Sequence, residues 1–301
     1  MLLNILIAFQ AYHTTYFYEQ GEVVRKKPSE MSKTEILTAG LFGAKVSKRS
    51  MTDTPARAFE VIKFKDAQGY MLEAWYVPVK AAKGTILLFH GHASSKSQVV
   101  READYFNELG FNTLALDARS HGNSQGNVCT VGYQETEGVR LAYDWARNKG
   151  EKNIVLWGAS MGAAMIMKAV PEYGLNPEKI ILDCPFASMH DAVKGFLRNM
   201  KIPSSPIAEM LMFWASIERG VYVFDYQPAT YAKNIKAPVL LEWGQKDVRV
   251  LETETKLNFE QLGSINKKLV VYKESGHESF CKKENALWKE QMNAFLLEKA
   301  D

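Results

Sequence analysis

Cysteine is scarce in this 301-residue chain: Cys129, Cys184 and Cys281 stand far apart, with no CxxC pair. That excludes a disulfide framework or a cysteine-based zinc cluster and leaves room for one disulfide at most. Charge of one sign is scarce too. The formal net charge is +3, with basic residues scattered along the chain. No concentrated basic face forms, so nucleic acid is not an expected partner. Long apolar runs are missing: Leu2 to Phe9, interrupted by Asn4, falls well short of the roughly 20 residues that span a bilayer. The start also lacks the basic leader and small-residue cleavage site of a signal peptide. Internal repeats, low-complexity tracts and Pro/Gly/Ser linkers are absent. One domain over residues 21–301 is therefore expected after an apolar and aromatic segment over 1–20.

Two readings of that first segment are open. It is either a helix packed on the domain or the trailing end of a membrane anchor, with Tyr12, Tyr16, Phe17 and Tyr18 at headgroup level. The compartment, cytoplasmic or tethered to a bacterial envelope, follows from that choice and from what precedes Met1.

What is present is a pattern of strands. After a mixed polar stretch (21–55), Ala58 to Lys65 and Met71 to Val77 alternate apolar and polar around Ala67-Gln68-Gly69, an antiparallel hairpin. Short, nearly continuous apolar runs follow at Thr85–Phe89, Asn112–Leu116, Asn153–Trp157, Lys179–Asp183, Pro238–Trp243 and Lys268–Tyr272. Runs of that kind fit parallel strands buried on both faces. Helical stretches separate them: Ser97–Leu109, Glu135–Asn148, Met161–Tyr173, Leu251–Leu262 and Asn285–Lys299. The alternation predicts an α/β fold, a mostly parallel sheet of about eight strands flanked by helices. Right-handed crossovers then bring every strand-to-helix loop to one edge, where the chemistry belongs. Residues 188–236, rich in Met and aromatics, interrupt the alternation after the sixth strand. They are expected to form a small helical lid lining an acyl or aromatic pocket.

Trp157-Gly158-Ala159-Ser160-Met161-Gly162-Ala163 follows a buried strand and opens a helix, so GxSxG stands in the context of a nucleophile elbow. Ser160 is the expected nucleophile, and a hydroxyl needs a base. Of six histidines, His277 lies in a Gly-containing loop after the last strand, where an imidazole can shuttle a proton. Asp247 sits just past the preceding strand and is the expected acid, with Asp183 as the competing one. Serine, acid and histidine then occur in the chain order this topology requires.

Phe89-His90-Gly91-His92 ends another strand. A small residue at Gly91 is expected to let the chain turn, so that the amides of His92 and Met161 form the oxyanion hole. A metal held by His90 and His92 is disfavoured, since the rings diverge and no ligand cluster joins them. In Asp117-Ala-Arg119-Ser-His121-Gly-Asn-Ser124 a second triad is equally disfavoured. There Asp117 and Arg119 are expected to pair while His121 and Ser124 fix the loop.

With these five motifs in order, over roughly Phe59 to Phe295, the chain resembles the α/β-hydrolase superfamily. Asp183-Cys184-Pro185-Phe186-Ala187-Ser188 makes it similar to the bacterial esterase branch related to prolyl oligopeptidase catalytic domains and to acyl-CoA thioesterase or acyltransferase C-terminal domains. There is no room for the propeller of the oligopeptidases, and no aspartate nucleophile as in dehalogenases. The resemblance implies a carboxylesterase acting on a small ester-like molecule, with no metal or cofactor. A thioesterase, acyltransferase or peptidase on the same triad is the alternative. A catalytically silent, membrane-tethered binding protein is the reading from another class.

Overall fold

Residue 17 already pairs with residue 46, before the main sheet begins. The computed structural model describes residues 2–23, 31–43 and 45–297. Helix α1 (Leu2–Thr14) leads into strand β1 (Phe17–Tyr18), and α2 (Lys33–Phe42) into β2 (Val46–Ser47), which lies parallel to β1. Strands β3 (Glu60–Lys65) and β4 (Met71–Val77) form the expected antiparallel hairpin. Then β5 (Thr85–Phe89), α3 (Val100–Glu108), β6 (Asn112–Leu116), α4 (Glu137–Asn148), β7 (Ile154–Ala159), α5 (Met161–Glu172) and β8 (Lys179–Asp183) alternate. Helices α6 (Met189–Asn199), α7 (Ile207–Arg219) and α8 (Pro228–Ala232) occupy the interruption. Strand β9 (Val239–Gly244), α9 (Glu252–Gln261), β10 (Lys267–Tyr272), α10 (Phe280–Lys283) and α11 (Asn285–Leu297) complete the chain. The last two positions expected for the final helix lie outside the described residues. So do Met1 and residues 24–30 and 44 of the polar stretch.

The sheet runs β10-β9-β8-β7-β5-β6-β4-β3, eight strands, with six parallel strands and the hairpin antiparallel at one edge. Each residue of β5, β6 and β8 is buried. The period-two geometry of a strand sends neighbours to opposite faces. Leu87 and Phe89 join Val139 and Ile166 in one apolar cluster, while Ile86 and Leu88 join Phe106 and Trp288 in the other. Each such side chain contributes about 1.5–3 kcal/mol by leaving water. Two covered faces force the loops, and any polar chemistry, to the strand ends.

Two helix starts differ from expectation for local reasons. Helix α4 begins at Glu137 rather than Glu135. The Glu135 carboxylate is taken by the preceding loop, accepting from the Thr130 amide (2.9 Å) and hydroxyl (2.8 Å) and from the Gly132 amide (2.8 Å). The stretch expected as one helix from Ser97 opens instead with a 3₁₀ turn over Lys96–Val99 before α3.

Helices α6 and α7 pack against each other, α8 packs on α5 and α9, and α1 lies on α7. Ile7 and Ala11 cluster with Leu197, Ala208 and Leu211. The Arg219 guanidinium on α7 donates to the Tyr12 carbonyl and the Thr15 hydroxyl, each at 2.8 Å. Leu2, Leu3, Ile5 and Phe9 on the outer side of α1 stay exposed. Among the described residues no helix is long and apolar enough to cross a membrane.

Candidate active site

Strand β7 reaches the sheet edge and the chain reverses into α5 at Ser160, whose φ of 51° and ψ of −111° lie outside the regions an L-residue prefers. The reversal needs glycine on both sides. A Cβ on Gly158 would stand 2.6 Å from the Gly162 carbonyl carbon, and one on Gly162 only 2.1 Å from the Phe89 oxygen. The Ser160 amide donates to the Asp183 carbonyl at 2.7 Å, which pins the corner to the next strand. Ser160 therefore stands at the N-terminus of α5, where the helix dipole favours negative charge.

The loops after β9 and β10 bring two more side chains to the same point. The His277 Nε2 lies 3.0 Å from the Ser160 Oγ, and its Nδ1 lies 2.7 Å from the Asp247 Oδ2. A carboxylate only accepts, so Nδ1 carries the hydrogen and Nε2 is left to accept from the serine. The other Asp247 oxygen accepts the amides of Arg249 (2.7 Å) and Val250 (2.9 Å). Burial opposes ionisation of Asp247. The bonds from His277 and from the two amides overcome it and hold the carboxyl below the usual carboxylate range.

Asp183, the competing acid, is occupied elsewhere. Burial, with Glu242 beside it, pushes its carboxyl well above the ordinary range. Burial likewise raises Glu242 to about 7, although Tyr272 donates to it. The three cysteines are free and buried. Cys184 lies near enough to Asp247 and His277 for the three to share an ion. Burial raises its thiol well above the usual value, however, and His277 is already engaged at both nitrogens, so the donor set suits the proton relay better than a metal.

The second polar loop folds differently from expectation. Asp117 does not pair with Arg119. Its carboxylate accepts from the Lys96 amide (2.6 Å) and ammonium and from the Asn123 amide (2.8 Å), while Lys96 also reaches Glu73 at 3.0 Å. Arg119 turns the other way, to Gln68 and Gln134. The Ser124 hydroxyl donates to the Asp117 carbonyl, and His121 accepts the Ala93 amide at 3.1 Å, so these two do fix the loop. His90 accepts the Ala118 amide at 3.1 Å. Gly91 is not in the left-handed region, and a Cβ there would meet ordinary contacts at 3.5 Å. The turn is carried by Ala93, with φ 53°.

Two cavities meet at the serine. One, of about 110 Å³, is lined by lid residues including Phe186, Met189, Phe196, Leu211 and Met212, together with Thr14 and Thr15 at the end of α1. The other, of about 440 Å³, is lined by Arg49, Gln98, Glu102, Trp157, Asp183 and Arg249 among others. Ser160, His92, Arg249 and His277 border both, and Met161 borders the first. Of the residues lining these cavities, Thr14, Thr15 and Arg49 carried no sequence signal that singled them out, and neither did Lys96 beside Asp117. Only Arg249 had one in principle, two residues past the expected acid.

Residues 80–223 match the family model described as serine aminopeptidase, S33. The chain is 26% identical over 199 residues to the protein YqkD of Bacillus subtilis, covering 65% of each. It is 28% identical over 141 residues to the lysophosphatidylserine lipase ABHD12 of Xenopus tropicalis, covering 44% of this chain and 36% of the lipase. The chain thus spans about two thirds of the first relative and about a third of the second. The esterase Pf2001 of Pyrococcus furiosus superposes with a TM-score of 0.68 at 22% identity, over 83% of this chain and 97% of the esterase. The chain has the α/β-hydrolase fold.

Proposed function

We propose that the chain is a serine carboxylesterase in which Ser160 attacks the ester carbonyl, His277 moves the proton and Asp247 orients His277. The observation that carries this reading is the continuous hydrogen-bond line from Asp247 through His277 to Ser160 at the mouth of an apolar cavity. His277 takes the hydroxyl proton as the Ser160 oxygen adds to the carbonyl. The amides of His92 and Met161 hold the oxyanion, a donor of this kind being worth about 3 kcal/mol in the transition state. The proton passes to the departing alcohol, leaving an acyl-enzyme. Water then repeats the cycle and releases the acid. No metal or cofactor enters any step.

The apolar lining of the lid side suits a small or medium acyl chain and offers few partners to a peptide backbone. An ester is therefore favoured over an amide. The test is fluorophosphonate labelling together with rates on p-nitrophenyl esters from acetate to decanoate. The native chain should label and turn over, and Ser160→Ala should do neither while melting cooperatively. Labelling that survives in Ser160→Ala overturns the reading. A panel of matched thioesters and amides on which kcat/KM exceeds that on the esters would replace it with the thioesterase or peptidase alternative.

A further inference from the structure

The arginines of this protein divide by what their guanidinium groups touch. Arg57, Arg101 and Arg147 are exposed. Arg119 is buried, and Arg140, Arg198 and Arg219 are half-buried; each is bonded to carboxylates, amides or carbonyls. Among the described residues, two half-buried arginines have guanidinium groups with no hydrogen-bond or ion-pair partner. They are Arg49 and Arg249, and both line the larger cavity beside Ser160. Taking a cation out of water without a partner is unfavourable, so two such groups converging on one cavity mark a site made for an absent counter-charge.

The surrounding groups do not supply that charge. Glu102 and Asp183 line the same cavity, but burial raises both, and the Ser279 hydroxyl already donates to Glu102 at 2.6 Å. Glu278 lies at the exposed rim. Asp247 is nearest to Arg249, yet its oxygens are taken by His277 and by the two amides. Burial accordingly weakens the hold of Arg249 on its own proton, a sign of a cation short of a partner. A guanidinium matches phosphate and carboxylate oxygens in a bidentate fork, which few other groups can do.

We propose that Arg49 and Arg249 bind an oxyanion, phosphate or carboxylate, carried on the alcohol half of the ester, so that the substrates are acyl esters of anionic alcohols. This assignment rests on Ser160 acting as above. The acyl chain would enter the lid cavity, the scissile carbonyl would meet Ser160, and the charged leaving group would occupy the larger cavity. The bond cleaved and the proton path stay as described, and the arginines only position.

Three octanoyl esters with a common acyl chain test the assignment: those of glycerol, glycerol 3-phosphate and 3-hydroxypropanoate. In the native chain at least one anionic ester should exceed the glycerol ester in kcat/KM by about tenfold or more. Whichever anion is preferred distinguishes phosphate from carboxylate. Arg49→Gln and Arg249→Gln should each lower that ratio about fivefold or more, mainly through KM, and Arg249→Lys should restore part of it. A native ratio at or below one, or a ratio that neither variant moves, overturns the proposal. If the native chain cleaves no ester, the reading of Ser160 fails, and titration of the Ser160→Ala protein with the same three esters still tests the anion site. Tighter binding of an anionic ester, lost in Ser160→Ala/Arg249→Gln, supports it; equal affinities overturn it.

Discussion

Two clusters in this molecule hold an aspartate, histidines and a serine within a few residues of a strand end, and they behave in opposite ways. Around Asp117, both histidines are saturated by backbone: His90 Nε2 accepts the Ala118 amide and its Nδ1 faces the Gly91 carbonyl at 2.7 Å. His121 does the same with the Ala93 amide and the Arg119 carbonyl, at 3.1 and 2.9 Å. An amide can only donate, so each ring must be neutral at Nε2. Burial reinforces this and lowers both to about 4. Around Asp247, the histidine instead bridges a carboxylate and a hydroxyl beside open cavities. Identical residue types thus take different partners, the second ring nitrogen facing an amide in one cluster and a hydroxyl in the other.

Exchanging the acids breaks the comparison most sharply. Asp247→Asn should lower kcat on p-nitrophenyl esters on the order of 10³-fold or more, since the imidazole loses its orienting anion, with little change in the urea midpoint. Asp117→Asn should do the reverse, leaving Lys96 with Glu73 as its remaining anion. A stability loss of about 3 kcal/mol by urea unfolding is expected, with kcat within tenfold. Comparable activity losses in both variants would erase the distinction.

The Asp183–Glu242 pair, carboxyls without a histidine, extends the contrast. The unfolded chain releases the Glu242 proton near 4.5, while the folded chain keeps it to about 7. Between those values the folded state binds more protons, so this group's contribution is full below 4.5 and declines as pH rises through 7. Glu242→Gln cannot ionise. Its stability relative to the native chain should therefore rise between pH 5 and pH 8, by roughly 2 kcal/mol, in urea titrations at each pH. A difference that stays flat across that range would refute the assignment.

The smallest effect is expected at His121. Its replacement by Ala removes the ring nitrogen that accepts the half-buried Ala93 amide at 3.1 Å. This should cost about 1 kcal/mol in urea unfolding, with a modest fall in kcat because the turn beside His92 loosens. A loss of kcat comparable to that of Asp247→Asn would move His121 into the chemistry.

The buried strands were legible because a strand covered on both faces must be apolar at nearly every position, as in Ile86-Leu87-Leu88 and Ile180-Ile181-Leu182. Ser160, Asp247 and His277 could be proposed because each lies just past such a strand, and the topology gathers strand ends. Partners set by distant packing were not legible. Asp117 and Arg119, two residues apart, suggested a pair. The lysine that meets Asp117 comes from a 3₁₀ turn 21 residues earlier, and its ammonium is fully enclosed. Nothing local announces a buried lysine. The docking of α1 on α7 and the convergence of Arg49 with Arg249 likewise depend on surfaces that exist only after folding.

The backbone angle at Ser160 bears on how this site can be lost. A left-handed φ costs a side-chain-bearing residue about 1 kcal/mol or more relative to glycine. A lineage released from the need for the hydroxyl would relieve that strain by one substitution, Ser160→Gly, while losing the hydrogen bond between the Ser160 oxygen and His277. The serine at this elbow therefore sets backbone strain against the one hydrogen bond its oxygen makes with His277.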